Sequence, residues 1–230
     1  DGGAEAVVGE ALAAALRTGA VARDELFIVS KVYPHNAGAR AAVAACERSL
    51  SRLGLDHLDC YLLHWRGSVP LAETVDAFER LRERGRIRHW GVSNFDVADL
   101  EELFAVPGGE RCATDQIYYS LTSRGPGFDL VPWLHGRGVA TMAYSPIDQG
   151  ALAADKALAA IAERRGFTAA QLALAWLIAQ PGVMAIPKAT SEAHLRENLA
   201  ARDIVLDDAE RAALDRAFPP PRRKTPLTMI

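Results

Sequence analysis

The sequence predicts an α/β fold built on parallel strands, and three observations support this prediction. Short apolar runs alternate with longer amphipathic stretches, which is typical of strand–helix units around a parallel sheet. Several runs, such as LFIVS and DCYLLHW, are apolar at both sets of alternating positions, as expected for strands buried on both faces. The first four strand starts after Leu26 recur every ~25–35 residues, which is the length of one βα unit in an eightfold barrel.

The predicted strands, in chain order, are Leu26–Val32, Leu58–His64, Ile87–Ser93, Ala113–Tyr118, Val139–Tyr144 and Val183–Pro187. The predicted helices are Ala4–Leu16, Arg40–Leu53, Leu71–Arg84, Val97–Phe104, Leu130–Arg137, Lys156–Arg165, Ala169–Ile178, Glu192–Ala201 and Asp208–Ala217. Thr168 with Gln171, and Asp207 with Glu210, have the spacing of a capping box, which predicts two of these helix starts.

This spacing favours a closed barrel over an open doubly wound sheet, because no GxGxxG motif follows a strand. We therefore predict a (β/α)8 TIM barrel that forms a single domain over residues 1–230. Six strands of the eight are visible, and the helical pattern begins within three residues of Asp1. We accordingly expect this chain to lack the first two βα units of the barrel.

Composition indicates a soluble protein that acts on small molecules. Among 230 residues the net charge is −3, which argues against a nucleic acid or an anionic membrane surface as partner. Cys46, Cys60 and Cys112 have no CxxC spacing, so we expect buried thiols in a reducing compartment, and a cytoplasmic location. The histidines show no metal-ligand spacing, so no metal site is predicted, and the oligomeric state cannot be read.

Polar side chains stand where the predicted strands end, which is where barrel enzymes place their active sites. They are Lys31, His64, Ser93, Asn94, Gln116, Tyr144, Ser145 and Lys188. Each also has a structural interpretation. Lys31 could be a solvated cation, His64 a hydrogen-bonded core residue, Ser93–Asn94 a turn, Tyr144 plain packing, and Asp59 an ion-pair partner. Their recurrence at successive strand ends favours a functional site over these separate explanations.

Other chemistries have weaker support. No GxSxG elbow and no phosphate-binding GxxxxGKS motif occurs in the sequence. Five arginines alternate with other residues between Arg80 and Arg88, but Glu79 and Glu83 are interleaved with them. This stretch therefore predicts a solvated helix face and not a nucleic-acid site.

Six motifs follow one another along the chain: LFIVSK, LDCYLLHW, GVSNF, DQIYYSL, MAYSPI and AIPKATSEAHLREN. In their order and spacing they resemble the aldo-keto reductases, and the resemblance covers essentially the whole chain. The stretches VSKVYPHNAG, VPGGERCATDQ and KTPLTMI most resemble the bacterial branch that includes methylglyoxal reductases.

The resemblance implies reduction of aldehydes and ketoaldehydes, such as methylglyoxal, by hydride transfer from NADPH. It matches Lys31, His64 and Asp59 to catalytic positions, and it places His64 and Trp65 against the substrate. Lys31 is expected to lower the pKa of a tyrosine proton donor, and His64 to hydrogen-bond the carbonyl oxygen. The resemblance places that tyrosine upstream of Asp1, so we expect residues 1–230 alone to be inactive.

The resemblance also implies a cofactor site. Ser93, Asn94 and Gln116 match residues that hydrogen-bond the nicotinamide amide, and Tyr144 matches the ring that stacks on the nicotinamide. The residues matched to the pyrophosphate and the adenosine phosphate are Ser145, Pro146, Ile147, Gln149, Gly150, Lys188, Thr190, Ser191, His194, Glu197 and Asn198.

Two other functions stay open from the sequence. The first is a lyase of aldolase type, in which Lys31 forms a Schiff base at a strand end. The second is a catalytically inactive protein that retains the nucleotide site. Trapping of substrate on Lys31 by borohydride would favour the lyase, and NADPH binding without turnover would favour the inactive protein.

Overall fold

A computed structural model describes residues 2–229, so Asp1 and Ile230, the two ends of the predicted domain, lie outside the described residues. The chain forms two compact units, Asp1–Ala113 and Thr114–Ile230. Each unit is of the α/β class and contains parallel strands, as the alternating sequence pattern predicts.

The first unit contains β1 (Val29–Val32), β2 (Leu58–Leu63) and β3 (Ile87–Ser93), which pair in parallel in chain order. Its helices, in chain order, are α1 (Gly3–Thr18), α2 (Ala41–Leu53), α3 (Leu71–Glu83) and α4 (Val97–Phe104). The register places Val32 opposite Leu63, and Leu63 opposite Val92, so the carboxyl ends of the three strands lie side by side.

The second unit contains β4 (Thr114–Tyr118), β5 (Ala140–Tyr144) and β6 (Val183–Ala185), again parallel and in chain order. Its helices are α5 (Leu130–His135), α6 (Lys156–Ala162), α7 (Ala169–Ile178), α8 (Glu192–Ala200) and α9 (Asp208–Ala217). Tyr118 pairs with Tyr144, so these two strands end together.

Buried apolar side chains explain why these segments become strands and core helices. All six residues of β2 and all five of β4 are buried, as the continuous apolar runs predict. Helix α2 instead buries one stripe that includes Ala42, Cys46 and Leu50, the spacing of a single helix face. It ends at Gly54, whose φ of 66° is left-handed and suits glycine.

Several predicted boundaries are too long, and local chemistry explains why. The first strand starts at Val29 and not at Leu26, because a 3₁₀ turn at Arg23–Glu25 precedes it. The last strand ends at Ala185, since Pro187 has no amide hydrogen to donate. Helix α6 tightens into a 3₁₀ turn at Glu163–Arg165, and Gly166 closes that turn with a φ of 73°.

Other local predictions are confirmed. Thr168 and Asp207 both form capping boxes at the starts of α7 and α9. Cys46, Cys60 and Cys112 are free and buried. In the arginine-rich stretch, Arg82 pairs with Glu79 at 2.7 Å and is 41% exposed, as expected for a solvated helix face, but the helix ends at Glu83 and Arg88 lies on β3.

Within residues 2–229, no helix combines the length and the apolar character that crossing a membrane requires.

Candidate functional site

Lys31 and His64 lie at the carboxyl edge of the first unit. The amide of His64 donates to the carbonyl of Val32 at 2.9 Å, which extends the pairing of β1 and β2 by one residue. Lys31 stands one residue before Val32, and it lines the same cavity of about 660 Å³ as His64. The structure therefore brings these two predicted catalytic residues together.

Burial and charge set the protonation of this pair. Burial lowers the pKa of the Lys31 ammonium from its ordinary value. Burial, and secondarily the positive charge of Lys31, lower the pKa of His64 to about 4. His64 is therefore neutral near pH 7. One of its ring nitrogens carries a hydrogen, so the ring can donate a hydrogen bond without carrying a charge.

An aromatic cluster surrounds His64. The Tyr33 ring stacks on His64 with centroids 5.2 Å apart and on His35 with centroids 5.5 Å apart. The predicted substrate residue Trp65 lies 4.7 Å from His64 and 5.4 Å from Tyr33, centroid to centroid. Tyr33 and Trp65 are both more than one-third exposed, so the cluster offers an apolar surface beside a hydrogen-bond donor.

Ser93 and Asn94 stand at the end of β3, beside His64. The Asn94 amide nitrogen donates to the His64 carbonyl at 3.3 Å and to the Ser93 hydroxyl at 3.2 Å. Asn94 has a φ of 59°, a left-handed conformation that asparagine tolerates better than most residues. These contacts link the residues that follow β2 and β3.

The structure places Asp59, predicted to belong to the catalytic group, away from Lys31 and His64. Asp59 is the second residue of β2, whereas His64 follows the last, so the two lie at opposite ends of one strand. The Asp59 carboxylate accepts from Arg23 at 2.9 Å and from the Ile28 amide at 2.8 Å, and it pairs with Arg88 at 3.2 Å. These contacts tie together the amino ends of three strands, which is a structural role.

In the second unit, Gln116 and Tyr144 lie on neighbouring strands. The Gln116 amide nitrogen is 2.9 Å from the sulfur of Met142, its partner on β5. The Tyr144 ring stacks on Tyr118 with centroids 5.8 Å apart and an interplanar angle of 18°. This contact holds the plane of the ring that the family resemblance assigns to nicotinamide stacking.

One cavity of about 490 Å³ gathers most of the remaining predicted cofactor residues. Those that line it are Ser145, Pro146, Ile147, Gln149, Gly150, Lys188, His194, Glu197 and Asn198. They come from two stretches more than 30 residues apart, which the fold of the second unit brings together. Thr190 and Ser191 stand outside this lining. The Ser191 hydroxyl instead caps α8 by accepting from the His194 amide at 3.2 Å.

The segment 145–150, which follows β5, has an unusual backbone. Ser145, Asp148 and Gln149 have φ values of 47°, 50° and 52°, and Gly150 has a φ of 97°. Such conformations cost non-glycine residues about 1 kcal/mol or more each, and they persist only where the surroundings hold them. They are common at ligand-binding loops, which agrees with the position of this segment on the cavity.

Sequence reasoning missed several residues at both locations. Tyr33 and His35 directly follow the strand that carries Lys31, and this position could have drawn attention to them. Tyr118 and Thr122, which bind Asp148 through their hydroxyl groups, are about 30 residues from it in the chain. No motif signals a contact of that kind.

Comparison with known proteins identifies the family. The model of the aldo/keto reductase family matches residues 1–218. This chain belongs to the aldo/keto reductase family. The match covers the strand ends of both units.

Individual relatives agree with this assignment. The methylglyoxal reductase YeaE of Escherichia coli is 50% identical over 235 residues, covering 100% of this chain and 80% of that protein. An aldo/keto reductase of Klebsiella pneumoniae, solved with NADP and acetate, has a TM-score of 0.94 and 51% identity, with 100% and 81% of the two chains covered. A second structure from that organism, solved with NADPH, has the same TM-score and identity and covers 100% and 80%.

The family assignment favours the reductase over the lyase of aldolase type. Lys31 remains a strand-end lysine with a lowered pKa, but the relatives of this chain are reductases. The third alternative, a nucleotide-binding protein without activity, is separated from the reductase by the experiment below.

Proposed function

We propose that this chain is an NADPH-dependent reductase of aldehydes and ketoaldehydes, of the methylglyoxal type. The observation that carries the proposal is the cavity of the second unit, where nine predicted cofactor residues meet. The similarity to a methylglyoxal reductase and to structures with NADP and NADPH supports the choice of substrate and cofactor.

The residues of this cavity suit a phosphorylated dinucleotide. Its volume falls within the range of about 300–1,000 Å³ that is usual for small-molecule sites. Lys188 supplies a positive charge, and the free amides at the start of α8 add a partial positive charge for phosphate. Glu197 and Asn198 offer acceptors for an adenine amino group. The Glu197 carboxylate is held by the Thr168 hydroxyl, which caps α7.

The strand ends would place the nicotinamide. In this proposal the Gln116 side chain binds its amide and the Tyr144 ring stacks on its face. The family resemblance assigns Ser93 and Asn94 to the same amide. The nicotinamide supplies a hydride to the carbonyl carbon when it is bound.

Lys31 and His64 would act on the carbonyl oxygen and its proton. His64, neutral because burial and Lys31 depress its pKa, donates a hydrogen bond that orients and polarises the carbonyl. The Lys31 ammonium favours the phenolate of the tyrosine that the family resemblance implies, and this makes that tyrosine a better acid. Trp65 and Tyr33 provide the apolar walls beside them.

The test is reduction of methylglyoxal with NADPH by the wild-type chain and by Lys31→Met, each as residues 1–230 and in a form extended upstream. Lys31→Met removes the charge but keeps most of the side-chain volume. Because proton transfer by positioned groups contributes about 10²–10⁴-fold, we expect the extended variant to lose at least about 100-fold in kcat/KM. Its dissociation constant for NADPH should change little.

Lys156→Met is the matched control, because Lys156 is exposed at the start of α6. Full activity of Lys31→Met would remove Lys31 from the mechanism. Tight NADPH binding by the upstream-extended wild-type protein without any reduction of aldehyde would select the inactive nucleotide-binding alternative.

A further inference from the structure

We propose that Tyr118 and Thr122 are positioning residues for the nucleotide site, because their hydroxyl groups hold Asp148 and thereby fix the segment 145–150 that lines it. The inference rests on the proposed function, since it concerns the same cavity. It goes further by assigning a role to three residues outside the cofactor set.

Both carboxylate oxygens of Asp148 accept hydrogen bonds from hydroxyl groups outside its own segment. One carboxylate oxygen accepts from the Tyr118 hydroxyl, and the other accepts from the Thr122 hydroxyl at 3.1 Å. Both oxygens are therefore engaged by groups that precede β5 in the chain. Hydrogen bonds to an ionised group are stronger than those between neutral groups, so this pair of contacts can restrain a loop.

The donors themselves are held in place. Tyr118 is buried and stacks on Tyr144. Thr122 shares a hydrogen bond of 3.0 Å with Ser120, and the Ser120 hydroxyl accepts from the Ser123 amide at 3.1 Å. Asp148 is thus attached to a strand end and a closed turn, neither of which belongs to the segment that it restrains.

The Asp148 side chain is directed away from the cavity. Of residues 145–150, Asp148 alone is absent from the cavity lining, whereas its neighbours Ile147 and Gln149 are part of it. With its carboxylate on Tyr118 and Thr122, the segment can line a phosphate site without presenting a negative charge to it. Release of Asp148 would relax three left-handed residues and would free an anion beside an anionic ligand.

The experiment measures amide hydrogen exchange in the unliganded chain and, separately, the dissociation constant of NADPH. Tyr118→Phe with Thr122→Val removes both hydroxyl groups but keeps the stacked ring and the side-chain size. We expect faster exchange confined to residues 147–152 and NADPH binding weaker by about tenfold, the loss typical of a hydrogen bond to a charged group. The free energy of unfolding should change little in comparison.

Two further variants sharpen the test. Asp148→Asn should fall between wild type and the double variant in both measurements, because the amide can still accept from Tyr118 and donate to Thr122 but carries no charge to strengthen these hydrogen bonds. Tyr119→Phe is the matched control, since Tyr119 is also buried but packs on Trp176. It should leave both measurements unchanged.

Unchanged exchange in the double variant would show that the hydroxyl groups do not hold the segment, and would overturn the inference. If the double variant showed faster amide hydrogen exchange but bound NADPH as tightly as wild type, the positioning role would also be overturned. Failure of the wild-type chain to bind NADPH would overturn the proposed function and the positioning role with it. The exchange measurement distinguishes these cases, because it uses no ligand.

Discussion

At the scale of single residues, the protonation of His64 decides what this site can do. Protonated His64 would add a second positive charge beside the Lys31 ammonium, and burial makes this charge still more costly. The depressed pKa of about 4 keeps the ring neutral through the physiological range. A strand-end histidine is visible in the sequence, but its pKa depends on burial and on Lys31, which only the fold supplies.

The first residue-scale prediction concerns stability and pH. A histidine in the unfolded chain has a pKa near 6.5, so it is protonated below that pH. In the folded chain His64 becomes protonated only near pH 4, so protons bind preferentially to the unfolded chain between these two pH values. Stability contributed by neutral His64 is therefore present above about pH 6.5 and is lost as the pH falls towards 4. Between pH 7 and pH 4.5 the free energy of unfolding should decrease less in His64→Gln than in wild type, as measured by urea unfolding at both pH values.

His89→Gln is the control for that comparison, because His89 is exposed on β3. If His64→Gln and wild type lost stability in parallel between the two pH values, His64 would not be the group responsible.

At the scale of elements, the sequence predicts which residues lie at the carboxyl ends of the strands. It does not predict which side chains from distant parts of the chain contact one another. The alternation of apolar runs and amphipathic helices places Lys31, His64 and Asn94 at one edge, because parallel strands end side by side. The same pattern cannot tell that Asp59, inside a buried run, begins its strand with two arginine partners. It is equally silent on Tyr118 and Asp148, whose contact depends on the path of a loop.

The residues around the start of α8 predict a preference for NADPH over NADH. Lys188 and His194 line the same cavity, and Ser191, the N-cap residue of α8, lies between them in the chain. We expect NADPH to bind more tightly than NADH, since the extra phosphate adds negative charge near Lys188. Lys188→Ala and His194→Ala should each narrow this preference by about five- to tenfold, as judged by the two dissociation constants.

Lys156→Ala provides the control, because it removes an exposed lysine from the start of another helix of the same unit. Equal affinities of the wild-type chain for NADPH and NADH would place the adenosine phosphate elsewhere.

At the scale of the whole molecule, the chain separates into groups that bind ligand and groups that hold strands. In the first unit, Lys31 and His64 stand at the carboxyl edge, while the Asp59 ion pairs stand at the amino edge. This division is general in parallel α/β folds, where the carboxyl end of the strands carries function and the amino end carries stability. The fold class was predictable because it depends on periodicity alone. The absence of the first two βα units and the single domain 1–230 stay predictions.

This division predicts opposite behaviour for two residues of one strand. The Asp59 side chain is 1% exposed and binds Arg23, Arg88 and the Ile28 amide, so Asp59→Asn leaves a partly buried arginine and a half-exposed one without their counter-charge. We expect it to lower the free energy of unfolding by about 2–3 kcal/mol, since breaking a buried ion pair is costly. In the protein extended upstream, the kcat of Asp59→Asn per folded molecule should match wild type, whereas His64→Gln should lower kcat and preserve the fold at pH 7. Asp56→Asn, at an 84% exposed position three residues upstream, is the control for stability. A loss of kcat in Asp59→Asn with unchanged unfolding would return Asp59 to the catalytic group.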